Sequence, residues 1–259
     1  MTSFASLVSK AAGYLSLPFE YPNRFFLLWR LVLSNRPVAS ELMRLAAHRK
    51  WFDGAGIRTV LDVGSYTGGF AFAMRQMLPD AQIYSFEPLP DNYQKLVCNL
   101  EKLGKFRAFH TALGNRQGEL SFWRNDFAAS SSALAMSGLH KQSFPETGHA
   151  AAIQVPVARL DDFLGQVELN GKTLLKLDVQ GYELEVLHGG LKMLEQVDYI
   201  FSEVSFQPLY EGQPLFRDVY DFLKPLGFAY AGSLEVLPSP VDGTILQADA
   251  LFVRRGISR

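Results

Sequence analysis

Four acids stand where alternating strands and helices would place them at strand ends: Asp62, Glu87, Asp178 and Glu203. Asp62 opens the run Asp62-Val63-Gly64-Ser65-Tyr66-Thr67-Gly68-Gly69. Glycines there let the backbone turn sharply and approach a ligand closely, and a helix that starts beyond the turn aims its first amides at it. Glu87 follows about twenty residues past the turn, in Ser85-Phe86-Glu87-Pro88. A carboxylate at that point can accept both hydroxyl protons of an adenosine ribose. With no ligand, the same residues are a tight strand-to-helix turn and an exposed strand-end glutamate.

NAD and S-adenosylmethionine both offer a ribose to such a carboxylate, and the glycines separate them. A dinucleotide site requires G-x-G-x-x-G, whose second glycine admits the pyrophosphate. Tyr66 stands at that position. S-adenosylmethionine has no phosphate; it has a charged amino-acid end and a sulfonium. Asp62 suits its amino group, directly or through water, with Gly64, Ser65, Tyr66 and Gly68 forming the turn around it and Pro88 following the ribose carboxylate. Thr111-Ala112-Leu113-Gly114 ends a third strand, where Ala112 and Leu113 can border an adenine ring.

Methyl transfer to an alcohol needs alignment and removal of the hydroxyl proton. Asp178 and Glu203, at the carboxyl ends of the fourth and fifth strands, face the ligand crevice of such a sheet, and Asp178 also touches the cofactor side. Either can serve as base, or the two can share a divalent ion. A metal-free route is favoured, because no third ligand with clear spacing accompanies them. Asp178 can instead cap a helix starting near Tyr182. His140 and His149 are further candidate bases in a long loop, or exposed bystanders; His110 and His188 read as structural. Ser130, Ser131 and Ser132 can contact ligands if the loop closes or can be a flexible stretch, and Trp123, Phe206 and Tyr210 can wall an acceptor pocket or belong to the core.

The elements that must position these residues follow a βαβαβ order. Strands are expected at 59–63, 83–86 and 106–113, with helices at 70–78 and 91–103 between them. A short antiparallel strand at 119–123 precedes a stretch, 124–152, rich in Ser, Ala and Gly, which reads as a mobile lid. Another strand is expected at 153–157 and a helix beginning at 160–164. Alternation resumes with a strand at 173–178, a helix at 182–194, a strand at 199–204, a helix at 216–223, and a closing antiparallel pair at 228–231 and 250–253. Residues 1–50 are basic and predict helices at 23–34 and 38–51, favoured as a cap or dimerisation arm over a basic amphipathic surface that touches a membrane, ahead of a domain over 51–259. The expected fold is thus α/β: a Rossmann-like, mostly parallel sheet with helices on both faces and an N-terminal helical extension.

Four runs carry a more specific resemblance: Leu61 to Gly68, Ser85 to Pro88, Thr111 to Gly114, and Leu175-Lys176-Leu177-Asp178-Val179-Gln180-Gly181-Tyr182-Glu183. Together they resemble the FkbM family of methyltransferases within the class I S-adenosylmethionine superfamily. The last run is the most telling, since that family commonly has K-x-D-x-[EQ]-G-x-E there. The likeness covers about residues 58–205 and leaves the first fifty and roughly the last fifty outside. It implies a seven-stranded sheet, six strands parallel and the last antiparallel, and O-methylation of sugars or polyketide-like metabolites. It also implies a structural or supporting part for Glu183.

Composition sets outer bounds. A net charge of −1 supplies no global field for nucleic acid, which makes an RNA methyltransferase a weaker reading. The single cysteine, Cys98, rules out an intramolecular disulfide, fits a cytoplasmic setting and reads as a buried structural thiol. The longest apolar run, 25–33, is broken by Arg30 and is too short to cross a bilayer. The expected partner is a small-molecule or glycan acceptor, with a homodimer through the N-terminal helices as a further possibility. Two competing functions are a nicotinamide-dependent oxidoreductase and a non-catalytic cofactor-binding protein.

Overall fold

The computed structural model describes residues 37–125, 130–147 and 150–256. The helix expected at 23–34 and His149 lie outside them.

Helices α1 (Pro37–Ala46) and α2 (Arg49–Ala55) precede strand β1 (Ile57–Val63). Then come α3 (Gly69–Met77), β2 (Gln82–Phe86), α4 (Pro90–Leu100) and β3 (Phe106–Phe109). Strands β4 (Ala112–Leu113) and β5 (Gly118–Asn125), helix α5 (Gly138–Ser143) and strand β6 (Ala150–Ala158) form an excursion. The chain returns through β7 (Lys172–Leu177), α6 (Glu183–His188), α7 (Leu191–Leu194), β8 (Tyr199–Ser205), α8 (Phe216–Leu223), β9 (Phe228–Pro238) and β10 (Ile245–Arg254).

The main sheet has seven strands in the order β3-β2-β1-β7-β8-β10-β9. The first five pair in parallel, and β10 runs antiparallel to both β8 and β9. Six strands therefore point one way and the last in sequence points back. Successive residues of each strand serve opposite faces. Val60, Ile83 and Leu174 pack with α1, α3 and α4, while Leu61, Tyr84 and Leu175 pack with α6, α7 and α8. This two-sided burial explains why apolar residues stand side by side in these strands, Val60-Leu61 in β1 and Leu174-Leu175 in β7, where a one-sided sheet would alternate.

Several expectations change. The third strand breaks at His110–Thr111; Ala112 and Leu113 leave the main sheet and pair with β6 in a separate three-stranded sheet, β4-β6-β5. The helix expected over 182–194 is two, because Gly189 and Gly190 are pressed against other segments. A Cβ on Gly189 would lie 1.9 Å from the Gly114 carbonyl oxygen, and one on Gly190 would lie 2.8 Å from Leu160. The helix expected at 160–164 is a single tight turn, Leu160–Phe163. Cys98 is exposed, not buried, since Leu96 and Leu100 take the inner face of α4 and place residue 98 on the outer one.

A boundary at residue 50 falls inside α2. Leu42 and Leu45 of α1 are fully buried in the same core as Phe70, Met74 and Phe201. Burying each leucine contributes about 1.5–3 kcal/mol, so α1 is held by the sheet domain. The described parts of 124–152 are also packed: Ser132, Met136, His140 and Thr147 are buried, and Met136 bridges to Tyr210. Among the described residues no helix is long and apolar enough to cross a membrane.

Candidate active site

The turn after β1 is built by backbone. The amides of Gly64 and Ser65 both donate to the carbonyl of Phe86, each at 3.1 Å, which ties the ends of β1 and β2 together. Gly64 has φ +77°, and a Cβ there would lie 1.8 Å from the carbonyl oxygen of Asp178. Its glycine is thus demanded by the neighbouring end of β7. Tyr66 also takes a left-handed backbone, φ +49°, which aims its amide at Glu87.

Glu87 is buried and lines an open cleft at the ends of β1, β2 and β7. Its Oε2 accepts from the Tyr66 amide at 2.9 Å; its Oε1 accepts from the Leu89 amide at 3.0 Å and from Asn92 Nδ2 at 3.4 Å. Burial pushes its pKa up to about 7 against the pull of those donors. A carboxylate offers about four acceptor sites. Three are taken, so one is left for a ribose hydroxyl, and a second becomes free only if the long Asn92 contact yields. Ala112, Leu113, Leu120 and Phe122 supply the apolar wall opposite. This donor set and shape fit an adenosine moiety.

Tyr66, Gly64, Pro88 and Asp178 line the same cleft, whereas Asp62, Ser65 and Gly68 do not. Asp62 is fully buried behind it, 3.3 Å from Lys176 Nζ and 3.3 Å from Ser85 Oγ. Ser65 Oγ donates to the Asp62 carbonyl at 2.7 Å, and Gly68 precedes α3 with φ +92°. Lys176 is the hinge of this wall. Its Nζ reaches Asp62 Oδ1 at 3.3 Å, Asp178 Oδ2 at 3.4 Å and the Gly64 carbonyl at 3.0 Å. Burial works against its charge, but Asp178 and Asp62 hold its pKa above the ordinary lysine value.

At the end of β7 the chain turns through Asp178-Val179-Gln180-Gly181 into α6. Asp178 does not cap that helix; the residue before its first turn is Tyr182, with no side-chain cap. The turn is held instead by Glu183, whose Oε1 accepts from the amides of Val179 (3.0 Å) and Gly181 (3.2 Å), with burial pushing its pKa to about 7. Gln180 Nε2 donates to Asp178 Oδ1 at 2.9 Å and to Glu203 Oε2 at 3.1 Å, so the two carboxylates lie within about 6 Å of each other. Burial, then the charges of Asp178, Glu183 and Asp249, raise the Glu203 pKa well above its ordinary value.

Glu203 faces a second crevice, under the β9–β10 hairpin, with Glu235, Leu237, Gln247 and Asp249 on its walls. Glu203, Asp249 and Glu235 are register partners across β8, β10 and β9. Like charges directly opposed destabilise a sheet. Arg44 of α1 answers them: it pairs with Asp249, with Glu235 at 3.2 Å and with Glu41 of its own helix. Among the described residues no three His, Cys, Asp or Glu side chains form a metal-binding group.

His140 does not meet the carboxylates. It is buried, not an exposed bystander, with its ring edge-on to Tyr210 (5.1 Å) and Phe144 (5.5 Å). Tyr210 is wholly buried, while Trp123 and Phe206 are exposed and wall neither cavity. Ser131 lines the cofactor-side cleft; Ser132 Oγ donates to the Gln180 carbonyl at 2.7 Å. His110 bonds to the Pro88 carbonyl at 3.0 Å, and His188 packs edge-on to Phe222. Sequence reasoning passed over Asn92, Leu120, Phe122, Gln180, Arg44 and Asp249. Only Gln180 sat inside a recognised run.

Residues 62–230 match the Methyltransferase FkbM domain. The chain is 31% identical over 193 residues to the 2-O-methyltransferase NoeI of Sinorhizobium fredii, covering 72% of this chain and 77% of that protein. It is 30% identical over 143 residues to the hexuronic acid methyltransferase AglP of Haloferax volcanii, covering 55% of this chain and about half, 54%, of that protein. Among solved structures, fibrillarin of Aeropyrum pernix with bound S-adenosylmethionine aligns with a TM-score of 0.41 at 15% identity, over 75% of this chain and 66% of that one. The domain match covers well over half of the sequence, and the chain belongs to the FkbM family of S-adenosylmethionine-dependent methyltransferases.

Proposed function

We propose that the enzyme methylates a hydroxyl of a sugar or glycan, with a hydroxylated secondary metabolite as the neighbouring alternative. One observation carries this reading: two carboxylates, Asp178 and Glu203, bridged by one amide, stand between the Glu87 cleft and a crevice lined with hydrogen-bonding groups. Carboxylates and the Gln247 amide can receive the hydroxyls of a polyol, and Val236 and Leu237 can cover its apolar edge. Two relatives, named a 2-O-methyltransferase and a hexuronic acid methyltransferase, support the sugar class.

Glu87 would hold the cofactor ribose through its remaining acceptor site, with the Ala112–Leu113 and Leu120–Phe122 wall against the adenine. Asp62 would act on the amino-acid end through Lys176 and the Gly64 carbonyl, not by direct contact. The bound cofactor supplies an already electrophilic methyl, so the protein's task is to align the acceptor oxygen and take its proton. The candidates for that are Asp178 and Glu203; His140 packs edge-on to Tyr210, itself one side chain removed from them through Gln180. The position between the two acids is filled by the Gln180 amide, and the mechanism is read as metal-free. Methyl transfer from labelled S-adenosylmethionine to a panel of glycosides and phenols, with products analysed by mass spectrometry, tests the reading. A gain of one methyl on a sugar oxygen, undiminished by chelator, is expected. Methylation confined to phenols would refute the sugar class, and abolition by chelator with rescue by Mg²⁺ would refute the metal-free route.

A further inference from the structure

Gln180 has a left-handed backbone, φ +54°, although it is not glycine. Its side chain is held at every polar atom. Nε2 donates to Asp178 Oδ1 (2.9 Å) and Glu203 Oε2 (3.1 Å), and Oε1 accepts from Tyr210 Oη–H at 2.7 Å. The amide turns its nitrogen to the two acids and its oxygen to the tyrosine, because the nitrogen has two protons to donate and the oxygen has none. Burial and the acids around it keep the Tyr210 hydroxyl protonated, and so able to donate. Behind Tyr210 stand His140 and, through the Gln180 carbonyl, Ser132, both from the excursion between β5 and β6.

This arrangement makes the two carboxylates unequal. Both oxygens of Asp178 have partners: Gln180 on Oδ1 and Lys176 on Oδ2 at 3.4 Å. Glu203 has a partner on Oε2 alone among the described residues, and its side chain forms part of the crevice under the hairpin. Building on the O-methylation reading above, we infer that Gln180 is a positioning residue that fixes Asp178 and turns Glu203 Oε1 to the acceptor as the atom that takes its proton. The new C–O bond forms as the C–S bond breaks, with its electron pair leaving on sulfur. The hydroxyl proton passes to Glu203 Oε1 and then to solvent. The charged and titratable groups facing Glu203 are Asp178 and Lys176 at β7, Glu183 of α6, Asp249 and Glu235 of the hairpin, and Tyr210. Arg44 and Glu41 of α1 act on it through Asp249.

The test is the pH profile of kcat on the hydroxyl acceptor found by the screen, with folding checked by circular dichroism. Glu203→Gln should slow turnover at least about a hundredfold and abolish the acid limb. Asp178→Asn should slow turnover yet keep that limb. Gln180→Leu removes a donor from the charged form of Glu203, so the limb should move to higher pH by about one unit, with kcat down about tenfold. Tyr210→Phe, which only frees the amide to turn, should move it the same way by less; it carries the prediction if Gln180→Leu does not fold. Carboxyl-¹³C NMR titration, with the Glu203 signal assigned by its loss in Glu203→Gln, gives a readout that needs no acceptor. Its midpoint should rise in Gln180→Leu. An acid limb that persists in Glu203→Gln and vanishes in Asp178→Asn would overturn the assignment, as would a Glu203 titration indifferent to Gln180. If the titration shifts but no hydroxyl is methylated, the acceptor reading falls and the clamp stands.

Discussion

The two cavities are built by opposite means. The Glu87 cleft is made where β1, β2 and β7 end side by side, largely by backbone: amides of Gly64, Ser65, Tyr66 and Leu89, and the carbonyls of Phe86 and Asp178. The crevice beyond Glu203 is made by side chains from remote segments. Glu203 meets Glu235, Leu237, Gln247 and Asp249 of the hairpin there, and Arg44 of α1 reaches Asp249 across 205 positions. Backbone geometry is costly to change and suits a fixed cofactor. Side chains on a hairpin are easily exchanged and suit an acceptor that differs between relatives.

The comparison predicts that the two regions fail differently. Gly64→Ala should do the most damage. It puts a Cβ into a backbone carbonyl at a left-handed position, and the cost should be about 3–5 kcal/mol of stability in chemical denaturation, with cofactor binding lost as well. A stable variant that binds normally would mean the turn has slack. Arg44→Ala should cost less, about 1–2 kcal/mol, and leave cofactor affinity within about twofold. Its cost should depend on pH. Arg44 opposes the burial that lifts Asp249 to about 6. Without it, the folded-state pKa of Asp249 rises further, so the loss is small near pH 4 and complete above that value. Thermal melts at pH 5 and pH 8 measure this, and equal losses would contradict it. The smallest effect is expected in the excursion between β5 and β6. We propose that it responds to ligand as a lid, with hydrogen exchange slowed around residues 130–136 when S-adenosylhomocysteine binds; unchanged exchange there would remove the idea.

Legibility in the sequence follows the same division. The strand-end acids and the glycine turn were visible because their relation is local: strand, turn, helix, strand. Alternation of strands and helices pointed to a parallel sheet, and β1, β2, β3, β7 and β8 do pair in parallel. Asp62 was placed at the right strand end, but its burial depends on Lys176, its register partner on β7, more than a hundred residues on. The breaking of the third strand depends likewise on β6, which draws Ala112 and Leu113 away. Glu203, Asp249 and Glu235 become one row only once β10 inserts between β8 and β9. No spacing along the chain encodes that. Gln180 carried a readable sign, two residues past Asp178 and before a glycine, yet its reach to Glu203 is tertiary.

Calorimetric titration of S-adenosylmethionine into the wild type and Glu87→Gln at pH 8 and pH 6 tests most directly whether Glu87 holds the cofactor ribose. A ribose hydroxyl donates to the ionised carboxylate, and the carboxyl titrates near 7 in the free protein. Wild-type affinity should therefore fall about tenfold between pH 8 and pH 6, with protons released on binding at the lower pH. Glu87→Gln should bind about 1–3 kcal/mol more weakly at pH 8 and lose the dependence on pH. A folded Glu87→Gln protein with wild-type affinity at pH 8 would contradict the assignment of the cleft.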